Sequence, residues 1–197
     1  MVRAAGDPGS SRGAQTRPGA VARRSIGAGA GSRLSEFVGP ELLAVGHVLE
    51  GFECGDELLD AWLIDRALRN QADRSSRTWV VSARGRVVAY YASSAAVVLR
   101  VEATKRAARN QPDPLPAVLL GRLAVHHRYQ GQGLGAALVK HFIAKSMEVA
   151  ELIGVRVVLV HAKDSAAAAF SARFGFEPSP VDELTMMLLV KDIAASS

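Results

Sequence analysis

Apolar positions recur at two periods along this chain, and the switching between them lays out its elements. Leu58, Leu59, Trp62, Leu63, Ala67 and Leu68 fall at helical spacing behind Asp56, a good N-cap residue. That pattern predicts a helix running to about Asn70. Two β-branched runs follow, Thr78–Ala83 and Val87–Leu99, and Arg84-Gly85-Arg86 between them reads as a hairpin turn. Residues 100–116, with three prolines and Lys105, Arg106 and Arg109, read as a polar loop. The pieces after it are a strand at Leu119–Val125, a helix from about 133 to 151, a strand at Val155–His161, a helix at Ser165–Phe174, a turn at Gly175 and a strand at Leu184–Val190. Helices between strands, with a last strand that turns back, predict a mixed sheet flanked by helices, an α/β (α+β) domain.

Residues 1–33 break the pattern. They are rich in Gly, Ala, Ser and Arg without periodicity and predict a disordered tail, which places the folded domain at 34–197. Arg3, Arg12, Arg17, Arg23, Arg24 and Arg33 there face Asp7 alone, so the tail carries the whole net charge of +5 and the remainder is balanced. The high pI therefore describes the tail and gives no argument that the body binds nucleic acid. A hydrophobic share of 49% is ample for a core. Cys54 is the single cysteine, which excludes an internal disulfide or a Cys-rich zinc site and fits a reducing compartment. The longest apolar run, Val87–Leu99, is too short to span a bilayer and contains serines and tyrosines. The N-terminal arginines precede no apolar signal-peptide core. These features predict a cytoplasmic protein without a membrane segment or a metal.

The stretch that carries chemistry is Leu119–Leu138. An apolar strand leads through a polar turn into Gln130-Gly131-Gln132-Gly133-Leu134-Gly135, where a helix begins. Glycines at alternate positions let backbone N–H groups approach a ligand closely, and the helix dipole favours negative charge there. The turn is not a Walker A loop, since it ends Gly135-Ala136-Ala137 rather than Gly-Lys-Ser/Thr. The G-x-G-x-G spacing, late in the chain, is not the dinucleotide fingerprint either.

Gln130-x-x-Gly133-x-Gly135 after Leu123-Ala124-Val125 resembles the acetyl-CoA loop of GCN5-related N-acetyltransferases (GNAT). Further segments resemble the TacT/AtaT-type toxins of bacterial toxin–antitoxin pairs. They are Phe52-Glu53-Cys54-Gly55, Leu59-Asp60-Ala61-Trp62-Leu63, Asn70-Gln71, Ser76-Arg77-Thr78, Leu120-Gly121-Arg122-Leu123-Ala124-Val125, and Ala169-Phe170 with Gly175-Phe176. The resemblance covers roughly Gly51 to Asp192. It implies the GNAT fold, a mostly antiparallel mixed sheet with a β-bulge strand at the acetyl-CoA site. It implies acetylation of the α-amine of an aminoacyl-tRNA, a ribbon-helix-helix antitoxin as partner, and a homodimer. An acetyltransferase for a small amine or a protein N-terminus, or a non-catalytic acetyl-CoA- or antitoxin-binding protein, are the competing expectations.

On this resemblance Leu123, Ala124 and Val125 pair with the pantetheine arm, and Gln130, Gly131, Gln132, Gly133, Leu134, Gly135 and Ala136 hold the pyrophosphate. Asp164 caps the helix that places Phe170 against the cofactor. In the family a tyrosine follows that Phe and protonates the leaving thiolate. Here the segment reads Ala169-Phe170-Ser171-Ala172, so Ser171 stands at the tyrosine position. Its hydroxyl is shorter in reach and a far weaker acid, which predicts an attenuated or inactive enzyme. His126 and His127 read as solvated turn residues and His161 as structural. Arg66, Arg69, Arg74 and Arg77, then Lys105, Arg106 and Arg109, and finally Arg122 are the candidates for tRNA phosphates.

Overall fold

The computed structural model describes residues 37–195. The expected tail at 1–33 and the domain boundary behind it lie outside them. Among the described residues seven strands form one sheet in the order β1-β2-β3-β4-β5-β7-β6. These are β1 (Phe37–Leu42), β2 (Arg77–Ala83), β3 (Arg86–Val98), β4 (Leu115–Val125), β5 (Val157–His161), β6 (Glu177–Pro178) and β7 (Thr185–Leu189). Only β4 and β5 pair in parallel; all other neighbours are antiparallel. Helices α1 (Glu57–Asp65), α2 (Ala67–Ala72) and α3 (Lys105–Ala108) cover one face, and α4 (Leu134–Leu152) and α5 (Ser165–Ala172) the other. A last short helix, α6 (Val190–Ala195), follows β7. The mixed α/β sheet expected from the sequence is the one observed.

Local chemistry explains where the elements begin and end. Asp56 caps α1, accepting from the Leu58 and Leu59 amides. The helix does not run unbroken to Asn70, because Arg66 leaves the helical region (φ −125°) and divides it in two. The β2–β3 hairpin turns at Arg84 and Gly85, both at positive φ. The segment 100–116 is not wholly loop. Thr104 caps a single turn at α3, which buries Ala107, and β4 begins already at Leu115. β1 gave no alternating pattern because its register shifts between Val38 and Glu41. There Gly39 lies so close to β2 that an added Cβ would sit 2.5 Å from the Val80 carbonyl oxygen.

Three apolar clusters fill the layers. Leu134, Leu138, Val139 and Phe142 of α4 pack on Val81, Ala89, Leu120, Val158 and Met186. On the opposite face Trp62 and Leu63 of α1 pack with Val80, Tyr90 and Ala124, while Ala103 and Ala107 cover Leu115, Val157 and Met187. No helix among the described residues is long and apolar enough to cross a membrane.

Candidate active site

The site originates in one residue of β4. β3 and β4 pair Ala92 with Arg122 and then Ser93 with Leu120, which leaves Gly121 without an opposite number. This is a β-bulge, and it reverses the alternation of the strand. Val118 and Leu120 face the α4 layer before it, and Leu123 and Val125 do so after it. Leu115, Ala117 and Leu119 face the other layer before it, and Ala124 does so after it.

The bulge also ends the pairing with β5. That ladder runs from Ala117–Val157 to Leu120–Val160 and stops. Beyond it β4 keeps only its β3 partner, and a cleft of about 310 Å³ opens between β4 and β5. Its walls are Gly121–Val125 of β4, Val160–Lys163 at the end of β5, Phe170 and Ser171 of α5, and Cys54–Asp56 with Leu59 ahead of and within α1. The His126 amide donates to the Val88 carbonyl at 2.9 Å. By alternation, Leu123 and Val125 therefore turn their backbone groups away from β3 and into the gap. An extended chain laid in the cleft finds donors and acceptors there.

At the mouth, the 3₁₀ turn His127–Tyr129 leads into the glycine loop and α4. Gly131 (φ +73°) and Gly133 (φ +86°) adopt the left-handed region, and an added Cβ at either would meet nothing within 4 Å. The glycines thus serve backbone direction and leave open space. Gly133 gives α4 no side-chain cap, and no acidic residue lies in its first turn. The leading amides of Leu134, Gly135 and Ala136 are therefore available to an anion. A pyrophosphate fits this cradle. Gly135 has a different reason to lack a side chain, since its Cβ would lie 3.6 Å from Phe170 Cζ and 3.9 Å from Val125 Cγ2. The two glutamines build the loop through their side chains. Gln130 Nε2 donates to the Val125 and Cys54 carbonyls, each at 2.9 Å, and Gln132 Nε2 donates to the Arg128 carbonyl at 3.3 Å.

The histidines of the turn, read from the sequence as solvated, are instead tied into its architecture, and His126 is half-buried. His126 Nδ1 accepts from the Arg128 amide, and His127 is held at the Glu53 carbonyl. Asp164 Oδ1 caps α5 through the Ala167 amide at 2.8 Å, which sets Phe170 against the loop. Ser171 lines the cleft but is 6% exposed, and its hydroxyl donates to the Ala167 carbonyl at 3.0 Å. It is turned back along its own helix. The Cys54 thiol is pushed up to about 11 by burial and by its hydrogen bond with Asp60, so it is a neutral wall residue. Burial likewise raises Tyr90, whose hydroxyl donates to the Leu59 carbonyl at 2.8 Å.

The basic candidates separate. Arg122 reaches the cleft, its guanidinium 4.3 Å from the centroid of the Trp62 ring. Arg66 and Arg69 line a shallow hollow with Asp65, Asn70 and Asp73, and Arg69 pairs with Asp73 at 3.8 Å. Arg74, Arg77, Lys105 and Arg109 are exposed. The Arg106 guanidinium bridges Glu177 at 3.1 Å and Asp192 at 2.7 Å, tying α3 to β6 and α6. Sequence reasoning did not single out Lys163, whose Nζ lies 3.6 Å from Asp56 Oδ2 at the rim of the cleft. It also passed over Gly121 as the source of the gap, although a glycine inside an apolar strand is a bulge signal.

A family model described as an acetyltransferase (GNAT) domain matches residues 74–178, the span from the end of α2 to β6. The chain belongs to the GNAT acetyltransferase family. This GNAT chain is 41% identical over 162 residues to a tRNA-acetylating toxin of Mycobacterium tuberculosis strain H37Rv, covering 82% of this chain and 98% of the relative. Its fold is similar to that of AtaT complexed with acetyl-methionyl-tRNAfMet, with a TM-score of 0.74 and 26% identity over 79% of this chain and 96% of that one. It is also similar to a tyrosine-to-phenylalanine mutant of the AtaT toxin bound to the C-terminus of the antitoxin AtaR and acetyl-CoA. There the TM-score is 0.66 and the identity 28%, over 79% of this chain and 95% of that one.

Proposed function

We propose that this protein transfers the acetyl group of acetyl-CoA to the α-amine of an aminoacyl-tRNA, blocking translation, and that Ser171 makes it a slow form of such a toxin. The observation that carries the reading is the likeness to a tRNA-acetylating toxin over nearly the whole of that relative. The open strand edge at Leu123–Val125 and the uncapped start of α4 fit the coenzyme that this activity needs.

The amides from Gly131 to Ala136 bind the pyrophosphate, and the edge of β4 aligns the pantetheine arm. A β4 amide in the gap polarises the carbonyl under attack, a single-donor oxyanion site. The bound coenzyme supplies an activated acetyl group. Arg122 receives the charged end of the tRNA on the α1 face. An α-amino group titrates at about 8 and the ester lowers that further, so an aminoacyl amine is largely neutral near pH 8 and is a competent nucleophile. Proton delivery to the departing sulfur is the weak point, because the Ser171 hydroxyl is engaged by Ala167. That engagement also favours a second reading, a protein that binds acetyl-CoA and an antitoxin without turnover. In either case the partner is a small ribbon-helix-helix antitoxin, the working form is a homodimer and the compartment is the cytoplasm.

Incubation of charged tRNA with radiolabelled acetyl-CoA tests this. We expect slow labelling by the natural chain and a rate about 100-fold higher for Ser171→Tyr, the gain typical of a restored general acid. Labelling by neither form would overturn the reading. Equal, robust rates would remove the attenuation and leave the activity.

A further inference from the structure

His161 is the first residue of β5 beyond the last rung of its pairing with β4. It therefore stands at the point where the two strands part. Val157 and Leu159 belong to the cluster on the α3 side of the sheet, so alternation puts His161 on that side too. Arg122 and Ala124 lie on that side as well, since Ala124 and Trp62 share a cluster and Arg122 covers Trp62. His161 borders two hollows at once, the main cleft and a second one, also of about 310 Å³, lined by Glu102, Ser179, Asp182 and Thr185.

A chain of hydrogen bonds fixes which imidazole nitrogen carries the proton. The Thr185 hydroxyl donates to Asp182 Oδ2 at 2.6 Å. Having one proton, it can only accept from its other neighbour, His161 Nδ1, at 3.1 Å. In the neutral ring Nδ1 is therefore the protonated nitrogen, and Nε2 keeps its lone pair. Asp182 is suited to anchor the chain. The Thr185 hydroxyl and then the Leu184 amide hold its carboxyl below the usual carboxylate range. The charged and titratable groups around His161 are Asp182 and Glu102 in the second hollow, and Cys54, Asp56, Arg122 and Lys163 in the cleft.

We infer that His161 is a catalytic residue that performs the proton transfer left without an owner by Ser171. The inference rests on the proposed aminoacyl-tRNA reaction. As the amine nitrogen bonds to the acetyl carbon, His161 Nε2 removes one proton from it. As the carbon–sulfur bond breaks and its electron pair stays on sulfur, the imidazolium returns that proton to the sulfur. The products are an N-acetylated aminoacyl-tRNA, free coenzyme A and a neutral His161, with one proton moved and none gained. Thr185 is a positioning residue that acts through the tautomer.

Two measurements test the assignment. The first needs no turnover. ¹⁵N chemical shifts of the His161 ring in the full-length protein should show Nδ1 protonated and Nε2 bare, and Thr185→Val should abolish that preference. A protonated Nε2 in the natural chain overturns the inference. The second is a double-mutant cycle on charged tRNA. In the natural background His161→Gln should lower kcat by about 100-fold, the usual size of general acid–base catalysis. In the Ser171→Tyr background, where the phenol supplies a proton independently, the loss should be several-fold smaller. Acetyl-CoA affinity and thermal stability measured on the same variants control for a structural effect. Equal losses in both backgrounds, or a natural chain indifferent to His161→Gln, overturn the inference and leave the tRNA reading standing. No acetylation of charged tRNA by either background defeats that reading, and this inference with it.

Discussion

The Arg122 guanidinium lies 4.3 Å from the centre of the Trp62 ring, so the one basic candidate that reaches the cleft is also held in place by an aromatic face. A cation–π contact of this kind fixes a long side chain without neutralising it. We predict that Arg122→Gln lowers acetylation of charged tRNA by about tenfold, the loss of one charged contact, and leaves acetyl-CoA affinity unchanged. The residual activity should be less sensitive to salt. Titration calorimetry with acetyl-CoA, alongside tRNA labelling at several ionic strengths, checks this. A parallel loss of acetyl-CoA binding would assign Arg122 to the coenzyme instead.

Gly133 caps α4 in the left-handed region with open space where a Cβ would go. The cost of Gly133→Ala is therefore conformational, about 1 kcal/mol. In a chain of this size that lowers Tm by about 2–4 °C. Because the same backbone aims the leading amides of the helix, acetyl-CoA should also bind more weakly. Differential scanning fluorimetry with and without acetyl-CoA separates the two effects. A lowered Tm with full ligand-induced stabilisation would deny the loop its role as an anion cradle.

His141 of α4 is half-buried, with the Tyr91 hydroxyl 2.9 Å from Nδ1 and the Trp79 ring 4.8 Å away. Burial, and then the Lys145 charge, push its pKa below the ordinary imidazole value. Because the folded pKa is depressed, its contribution to stability is complete above the unfolded value near 6.5 and is lost as the pH falls through the folded pKa. Urea unfolding from about pH 7.5 down to about pH 5 should show declining stability, with a shallower decline in His141→Gln. An identical slope in both proteins would place the acid sensitivity elsewhere.

The sequence made most of the frame legible because the frame follows periodicity. The β-branched run on either side of Arg84-Gly85, the helix behind Asp164 and the helix behind Gly133 all appear where local chemistry puts them. What stayed hidden depends on partners distant in sequence. β1 exists because β2 accepts it, and α3 exists because Ala103 and Ala107 find cover over Leu115 and Val157. The departure at Ser171 was readable from the residue type alone. That its hydroxyl turns back to Ala167 was not. His161 read as structural because its relation to Thr185 and Asp182 spans a loop and a strand pairing that no local pattern encodes.

The unmatched residue at Gly121 has a consequence for anything meant to block this protein. A sheet normally partitions a molecule, and ligands on its two sides are strangers to each other. Here the partition has a doorway between β4 and β5, with the anion cradle of α4 outside one side and Arg122 and Trp62 outside the other. On the proposed reaction, the two reactants approach from opposite directions and touch only at the threshold. A compound shaped like one of them can occupy its own side without displacing the other. A compound that displaces both must be thin at its waist, no wider than an extended strand.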